Sequence, residues 1–547
     1  MLEHRSMAST REVMGWVAGA LVALAPHRAS ALERSPALFP HGLHLQEGGR
    51  YVRDLCDPDA PMRCHAHELM PAGYQPGSAV HPYAGPPSGA MVPSDVLAAY
   101  AIPPATYGNG AIVAIVDLPD TGALTDLSIY RAQFGLPPLA TCTTPNGLPA
   151  GTTPCFAAVD QDGNPNPTVQ DSDANADAET ALDLDMVSAG CPDCSIVLIQ
   201  MTATGAPNNI DDFTRSVAAA TKFGARATSI SFGGSESAAG GDPATFTTAS
   251  NLVVAASGDQ GYLLQSAVLG GGVSPCWPAS APTVLGVGGT NLRSSAGTYS
   301  EEVWNDLISL QVGAGSGCST EYPMPAFQLA YGASKFGATC ANKRASADVS
   351  AAAQFSVNGQ EKGIASYAQG AWHAVLGTSA AAPLVAALFV RLGIAPKIAA
   401  DVGFVYTNAA AFNDVTRGTN DAKGLCTLGD VACTAGPGWD GPTGIGTPNG
   451  TKLLALVRDG GSDAIDAGTI GAGNDGGSTG DGGEGTGDGG IVDLAPDGGR
   501  LTPRPAPGGC ACTSPGHAVP RDDPWKVILI ASGFLACGSR IRRRTRT

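Results

Sequence analysis

Residues 377–379, with the sequence Gly-Thr-Ser, are the part of the chain best suited to nucleophilic chemistry. They lead into an apolar run that continues to residue 392 and is predicted to be helical. Small residues at the start of such a helix expose the hydroxyl of Ser379 and direct backbone N–H groups at an incoming oxygen. Ordinary helix N-caps use the same residue types. The motif alone therefore leaves two interpretations open, a nucleophile and a helix cap.

Histidine, the usual base for such a serine, is scarce in this part of the chain. Between His81 and His517 the sequence has one histidine, His373, which lies six residues before Ser379 on the same approaching segment. Asp117, at the end of the first strongly apolar strand, would supply the acid of a Ser-His-Asp arrangement. A histidine-dependent site built on Asp117, His373 and Ser379 thus has only one candidate histidine in this part of the chain. It stays open as an alternative.

Carboxylates offer a second kind of base. Glu179 and Asp183 are four residues apart in a predicted helix and therefore lie on one helical face, whereas Asp185 points elsewhere. Like charges at this spacing destabilise a helix unless they share a proton or meet a partner. A shared proton raises one pKa and suits acid–base chemistry in acidic conditions. A solvated acidic face is the alternative interpretation of the pair.

A third carboxylate, Asp259, follows an apolar strand within a Ser-Gly-Asp turn. A turn aspartate is the default interpretation of such a position. If the side chain is buried beside Ser379 and stays protonated, it can donate a hydrogen bond to a developing oxyanion.

Alternating apolar strands and helices predict the scaffold that holds these residues. Short apolar runs separated by helical patterns are typical of a parallel sheet covered on both faces, in which chemistry gathers beyond the carboxyl ends of the strands. The strands are predicted at residues 111–116, 195–200, 227–232, 252–256 and 283–287, and the helices at 124–134, 176–189, 210–221 and 379–392.

Composition excludes several other classes of protein. The chain has 547 residues, of which 43% are hydrophobic, so it can bury a large core. Its formal charge of −17 argues against nucleic acid as a partner, because phosphate neutralisation needs a basic face.

Together these segments resemble the sedolisin family of serine-carboxyl peptidases across residues 93–458. The Glu-x-x-x-Asp pair of that family matches Glu179 and Asp183, its Ser-Gly-Asp loop matches Asp259, and its Gly-Thr-Ser motif matches Ser379. Further matches follow in the family order at residues 227–234, 277–282 and 287–290.

The resemblance implies an α/β, subtilisin-like fold, with a parallel β-sheet and helices on both faces, and a monomeric endopeptidase that cuts polypeptides at acidic pH. It assigns Glu179 as general base, Asp183 as the residue that orients it, Ser379 as nucleophile and Asp259 as oxyanion stabiliser. A non-catalytic surface binding protein on the same scaffold is a further alternative. Residues 32–92 are predicted to be a short propeptide or N-terminal extension, and they are far fewer than the folded prodomain usual in the family.

The same resemblance implies one structural calcium ion. Two loops, around residues 412–416 and 435–440, match the calcium site of the family. Carboxylates and backbone carbonyls are the hard oxygen ligands that Ca²⁺ prefers. By family position the ligands are the side chains of Asp414 and Asp440 and the carbonyls of Val415, Gly436 and Gly438.

Both ends of the chain carry targeting signals. Residues 1–31 have the basic, apolar and small-residue order of a secretory signal peptide, so a secreted or cell-surface protein is expected. Residues 459–509 form a Gly- and Asp-rich flexible linker. Residues 510–547, with a Cys pair, a short apolar segment and clustered arginines, resemble a myxobacterial-type C-terminal sorting tag that attaches its protein to a membrane, and an ordinary tail anchor is the alternative.

The cysteine spacing suits the oxidising compartment that export implies. Cysteines that are neighbours in sequence can close small loops, although spacing alone does not determine connectivity. Cys276 is then left over. The pairs proposed on this basis are Cys56 with Cys64, Cys142 with Cys155, Cys191 with Cys194, Cys318 with Cys340, and Cys426 with Cys433.

Overall fold

A computed structural model describes most of the chain between residues 42 and 458. The described residues are 42–45, 50–57, 60, 62–76, 83–104, 108–144, 146–165, 167, 174–201, 210–236, 246, 248, 250–262, 274–306, 312–337, 340, 342–421, 426–427 and 429–458. The predicted signal peptide, the linker and the C-terminal tail lie outside the described residues. In the described part of the chain, no helix combines the length and the apolar character that crossing a bilayer requires.

The four predicted helices are present, within a few residues at each end, together with shorter helices that were not predicted. Their bounds are α1 (Pro93–Ala99), α2 (Ala123–Gln133), α3 (Ala174–Gly190), α4 (Ile210–Lys222), α5 (Ala326–Gly332), α6 (Thr378–Arg391), α7 (Ala395–Ala400), α8 (Phe404–Thr407) and α9 (Gly450–Arg458).

The strands include all five predicted segments and many shorter ones. In chain order they are β1 (Leu43–Leu45), β2 (Tyr51–Asp54), β3 (Met62–Cys64), β4 (His67–Leu69), β5 (Ile112–Asp117), β6 (Phe156–Asp160), β7 (Ser195–Gln200), β8 (Ala227–Ile230), β9 (Phe232–Ser235), β10 (Leu252–Ala256), β11 (Gln260–Tyr262), β12 (Cys276–Trp277), β13 (Leu285–Ser295), β14 (Thr298–Val303), β15 (Asn305–Asp306), β16 (Val312–Pro323), β17 (Lys343–Ser346), β18 (Val349–Val357), β19 (Gln360–Glu361), β20 (Ile364–Ala368), β21 (Ala371–Leu376), β22 (Phe412–Asn413) and β23 (Thr447–Pro448).

A largely parallel sheet forms the centre of the molecule. Its strand order among the described residues is β19-β18-β13-β10-β8-β5-β7-β6, with β14 paired to β13. The pairs from β18 through to β6 are parallel, and β14 and β19 are antiparallel additions. Every residue of β5, β7, β8 and β10 is buried, which requires that both faces of the sheet be covered. The predicted subtilisin-like α/β fold is therefore confirmed.

Two buried helices, α3 and α6, pack closely against each other. All residues of α6 are buried, so this helix lies wholly inside the molecule. Gly190 at the end of α3 allows the close approach, since a Cβ built there would lie 2.8 Å from the Cβ of Ala387. Each helix carries residues that the sequence marks as chemically interesting, and their packing brings those residues together.

The N-terminal extension is more ordered than its sequence suggests. Its Pro-, Gly- and His-rich composition predicts little regular structure, yet it contributes β1 to β4. The strands β2 and β4 join a sheet with β21 and β20, and β3 pairs with β9. The pairings of β3 with β9 and of β4 with β21 connect residues more than 150 positions apart, which a local pattern cannot reveal.

The disulfides of the structure are the five pairs that the sequence spacing suggests. The Cys191–Cys194 bridge closes a structural turn at the end of α3. Cys276 is a free, buried thiol. Each bridge closes a short loop, so the cross-links pin individual turns to a core that the sheet already forms.

A buried ion pair stabilises the sheet near β18. Arg344 and Asp348 have no exposed side-chain surface and lie 2.5 Å apart. Asp348 also accepts hydrogen bonds from the backbone N–H of Gly286 and the hydroxyl of Tyr406, at 2.7 and 2.6 Å. These partners offset the free-energy cost of burying the Asp348 charge, and removal of one partner leaves that charge buried without compensation.

We expect Arg344→Met to lower the free energy of unfolding by about 3–5 kcal/mol, because it strands the Asp348 charge in the interior. Arg293→Met is the matched control, since Arg293 pairs with Glu302 at an exposed site, and we expect it to cost less than about 1 kcal/mol. Urea unfolding followed by fluorescence measures both values. Equal losses for the two variants would contradict the importance of the buried pair.

Candidate active site

Ser379 occupies the second position of α6, directly after the tight turn at Gly377. Gly377 has φ +141°, a conformation that favours glycine. The side chain of Ser379 is fully buried, and its hydroxyl oxygen lies 3.4 Å from the carbonyl oxygen of Ser231. Its backbone N–H points away from the helix toward the carbonyl of His65, at 3.0 Å. The first turn of α6 therefore presents both a hydroxyl and a backbone N–H to one cleft, as an acyl-transfer site requires.

Glu179 and Asp183 project from α3 toward the start of α6. Both carboxylates are fully buried, and the hydroxyl of Ser231 lies 2.9 Å from each oxygen of Asp183. The hydroxyl of Ser379 is close enough to Glu179 to lower the pKa of that carboxyl. Neither oxygen of Glu179 makes a well-formed hydrogen bond within the described part of the chain. Glu179 is thus a buried acceptor without a fixed partner, next to a serine hydroxyl.

The pKa values of these acids are strongly raised. Burial raises the pKa of Glu179 well above its usual range, and the charges of Asp183 and Asp117 raise it further. Burial also raises the pKa of Asp183 well above its usual range, and the charge of Asp117 adds to this rise. Burial also raises the pKa of Asp117, at the end of β5, to about 8. The raised pKa values mean that these neighbouring acids do not all ionise together.

Asp259 lies at the end of the loop after β10 and contacts Thr378, the residue before Ser379. Its Oδ1 atom accepts hydrogen bonds from the N–H and hydroxyl of Thr378, at 2.9 and 2.7 Å. Its Oδ2 atom lies 3.0 Å from Nε2 of His67. Burial raises the pKa of Asp259, whereas its contacts with His67 and Thr378 lower it in part.

The structure thus brings together four residues from three separate segments of the chain. The hydroxyl of Ser379 lies beside Glu179, and Asp259 accepts hydrogen bonds from Thr378, the residue before Ser379. Asp185 lies apart from them, because its Oδ2 atom accepts hydrogen bonds from the hydroxyl of Ser366 and the N–H of Tyr367.

His373 does not serve Ser379. Its Nδ1 atom lies 2.7 Å from Oε1 of Glu68, and its Nε2 atom lies 3.2 Å from the carbonyl oxygen of Ala368. Among the described residues, no histidine side chain forms a hydrogen bond with the hydroxyl of Ser379. The contacts therefore give no support to the alternative built on Asp117, His373 and Ser379.

Two histidines of the N-terminal extension lie at the site, and the sequence reasoning missed them. His65 contacts Ser379 through its backbone, and the imidazole of His67 lies between Asp54 and Asp259, at 2.7 and 3.0 Å. Those two carboxylates offset the effect of burial and raise the pKa of His67 to about 9. The one available signal was a pair of histidines two residues apart in a segment otherwise assigned as an extension.

The predicted calcium loops lie side by side. Asp440 is fully buried and accepts hydrogen bonds from Thr443, and the carboxylate of exposed Asp414 accepts one from the N–H of Gly438 at 2.9 Å. Burial raises the pKa of Asp440 to about 7, and the nearby Asp414 charge adds to this rise. Within the described residues, no group of three or more His, Cys, Asp or Glu side chains could hold a metal. Any cation here would therefore need backbone oxygens from Val415, Gly436 or Gly438.

Comparison with known proteins supports a peptidase scaffold. Residues 163–396 match the model of the subtilase family. Kumamolisin from Bacillus sp. (strain MN-32) is 31% identical over 401 residues, which cover 69% of this chain and 65% of that protein. Sedolisin from Pseudomonas sp. (strain 101) is 32% identical over 199 residues, which cover 34% of this chain and 31% of that protein.

A solved structure agrees with these matches. The structure of Pseudomonas sedolisin, a serine-carboxyl proteinase complexed with two molecules of pseudo-iodotyrostatin, superposes with a TM-score of 0.53 at 25% identity. The match covers 68% of this chain and 98% of that one. The chain spans less than two thirds of the full length of kumamolisin and of sedolisin. The chain therefore has a subtilisin-like fold, matches the subtilase family over residues 163–396, and is similar to the sedolisin type of serine peptidase.

Proposed function

We propose that the chain is a serine-carboxyl endopeptidase that hydrolyses polypeptides at acidic pH through an acyl-enzyme on Ser379. One observation carries the proposal: the buried carboxyls of Glu179 and Asp183 lie beside the serine, in the place where a histidine base would be needed. A non-catalytic binding protein has no use for several acids buried around one hydroxyl, because each costs free energy to bury.

In the proposed reaction, Glu179 takes the proton of Ser379 as the hydroxyl oxygen attacks the substrate carbonyl carbon. Asp183, held by Ser231, keeps a proton between the two acids and so orients Glu179. The N–H of Ser379 and protonated Asp259 donate hydrogen bonds to the oxyanion. Glu179 returns its proton to the leaving amine, and water then releases the acyl group by the same steps in reverse.

The raised pKa values are consistent with an enzyme of acidic conditions. Two coupled carboxyls lose their protons in two steps, and the form that shares one proton exists between those steps. Asp259 donates to the oxyanion only while it is protonated. Rising pH removes both the shared proton and the Asp259 proton, so activity falls on the alkaline side.

We also propose one structural calcium ion, held by Asp414 and Asp440 through their side chains and by Val415, Gly436 and Gly438 through their carbonyls. The support is the adjacency of two carboxylates, one of them buried with a raised pKa, in Gly-rich loops. When bound, the cation would neutralise these carboxylates and fix the two loops to each other.

The proposed enzyme acts outside the cytoplasm as a monomer. The five disulfides fit an oxidising compartment. We propose that residues 1–31 direct export, that residues 32–92 precede a peptidase domain of residues 93–458, and that the tail at 510–547 attaches the protein to a membrane through the linker 459–509. Its partners are polypeptide substrates.

We expect Ser379→Ala, Glu179→Gln and Asp183→Asn each to lower kcat on casein by about a thousandfold or more, because each removes the nucleophile or its base. Asp185→Asn is the matched control, since Asp185 is a buried acid of the same helix with partners away from Ser379. It should keep its activity. Casein digestion at pH 4 measures all four variants, and full activity in any of the first three contradicts its role.

We expect the activity of the wild type to persist below about pH 5, where a histidine base with a pKa near 6.5 would be protonated and inactive. Asp259→Asn should retain more of its peak activity at pH 7, because an amide donates a hydrogen bond at any pH. Initial rates on casein from pH 3 to 8 test both statements. A profile that rises only above pH 6 would favour a histidine base.

We expect chelation of calcium to lower the melting temperature by several degrees, because two carboxylates then repel each other without a cation. Asp414→Asn should abolish the response to calcium, whereas Asp401→Asn, an exposed acid elsewhere, should preserve it. Differential scanning calorimetry with calcium and with chelator gives the shift. An identical melting temperature in both conditions would remove the metal from the proposal.

A further inference from the structure

Strand β21 leads directly to Ser379, and segments of the chain pair with both of its edges. β20 pairs with one edge of β21, and β4 pairs antiparallel with the other. In the second pairing His67 lies opposite Leu376 and Glu68 opposite Val375. Pairing with a strand edge is a common way for a protein to bind an extended peptide, because backbone hydrogen bonds hold the peptide while alternate side chains are recognised. The edge that β4 occupies is therefore a candidate wall for substrate residues.

The contacts of His65 show which part of a substrate this wall would serve. The carbonyl of His65 accepts a hydrogen bond from the N–H of Ser379 at 3.0 Å, as the carbonyl of a reacting peptide bond would. The residues that pair with β21 follow His65 in the sequence. A substrate in the same register therefore places the residues after its cleaved bond against β21, and the third of them takes the position of Glu68.

His373 is the one titratable side chain of β21, whose sequence is Ala-Trp-His-Ala-Val-Leu. It stands two residues before Val375 and therefore lies on the face of the strand that Glu68 shares. Its Nδ1 atom lies 2.7 Å from Oε1 of Glu68. The side chains of His373 and Glu68 are 15% and 3% exposed, so little water competes for this contact.

Both ring nitrogens of His373 face oxygen acceptors. Nε2 lies 3.2 Å from the carbonyl oxygen of Ala368, within the hairpin that β20 and β21 form, and Nδ1 faces Glu68. An imidazole donates hydrogen bonds at both nitrogens only when it is protonated. Burial works against this charge, but the Glu68 carboxylate outweighs burial and raises the pKa of His373. The arrangement therefore favours the imidazolium form of the ring, and that form favours an anionic partner.

The other charged groups near His373 already have partners. Arg53 is the second partner of Glu68, and it belongs to β2 of the same N-terminal extension. Burial opposes a charge on Glu68, but His373 and Arg53 lower its pKa to about 2. Asp126 of α2 interacts with the His373 charge, yet its Oδ2 atom accepts a hydrogen bond from the N–H of Gln369 at 2.5 Å. A substrate that takes the place of β4 thus meets His373 as the cation on this wall.

We propose that His373 is a specificity-determining residue that binds an acidic side chain of the substrate at the third position after the cleaved bond. The substrate occupies the edge of β21, and its glutamate carboxylate accepts a hydrogen bond from Nδ1 of His373, as Glu68 does in the structure. The inference rests on the peptidase activity proposed above and adds a substrate preference to it. His373 takes no part in breaking the peptide bond.

Cleavage of a library of peptides from denatured proteins tests the preference without the folding of any variant. The purified full chain acts on the library at pH 5, where a free glutamate is mostly ionised and a free imidazole mostly protonated, and mass spectrometry gives the cut sites. We expect Glu to be enriched over Gln at the third position after the cut by about threefold or more. Gln is the matched control, because it has the same shape without the charge. Equal use of Glu and Gln would overturn the inference.

Two variants then assign the preference to His373. On two synthetic substrates that differ only in Glu or Gln at this position, we expect the wild-type kcat/KM to favour Glu by about tenfold. His373→Gln should lower that ratio to about twofold or less, whereas His373→Lys keeps a cation and should retain most of it. Damage to the fold or to the catalytic geometry would lower both rates alike and leave their ratio unchanged.

The outcomes separate this inference from the proposed function. If His373→Gln cuts both substrates with the wild-type ratio, the role of His373 is wrong and the peptidase function still stands. If the wild-type chain cuts neither casein nor any peptide of the library, the proposed function is wrong and the inference fails with it.

Discussion

The packing of α3 against α6 is the constraint on which the site depends. It places Glu179 and Asp183, nearly two hundred residues before Ser379, against the first turn of the helix that carries the serine. Gly190 and the small residues of α6 permit the close approach. Because both acids are buried, their pKa values lie well above the usual range, and the two do not ionise together. A looser contact between α3 and α6 would admit water, and the pKa values of the two acids would return toward those of surface carboxyls.

The core strands and the helices α3 and α6 follow from the sequence, because their signals are local. Each signal can be read from neighbouring residues alone: two acids at i and i+4, continuous apolar strands, and cysteines a few residues apart. The five short disulfide loops were therefore predictable. The shared surroundings of Glu179 and Ser379 were not deducible from local pattern, and the family resemblance supplied that connection.

The N-terminal extension could not be predicted in the same way. The strands β3 and β4 have three residues each, too few for a period to appear, and their partners are more than 150 residues away. A count of histidines that could serve Ser379 passed over His65 and His67, because they stand before the domain that the motifs define. Their place in the cleft becomes visible only when the strand pairing is known.

The environment of the free thiol of Cys276 depends on its contact with the ring of His65. The thiol is buried, burial raises its pKa far above the usual range, and Nε2 of His65 lies 3.3 Å from its sulfur. Burial is the main cause of that inert state, so removal of the ring would admit solvent to the sulfur and restore its reactivity. The reaction of Cys276 with an alkylating reagent would therefore distinguish molecules in which the ring of His65 lies against the thiol from those in which it does not.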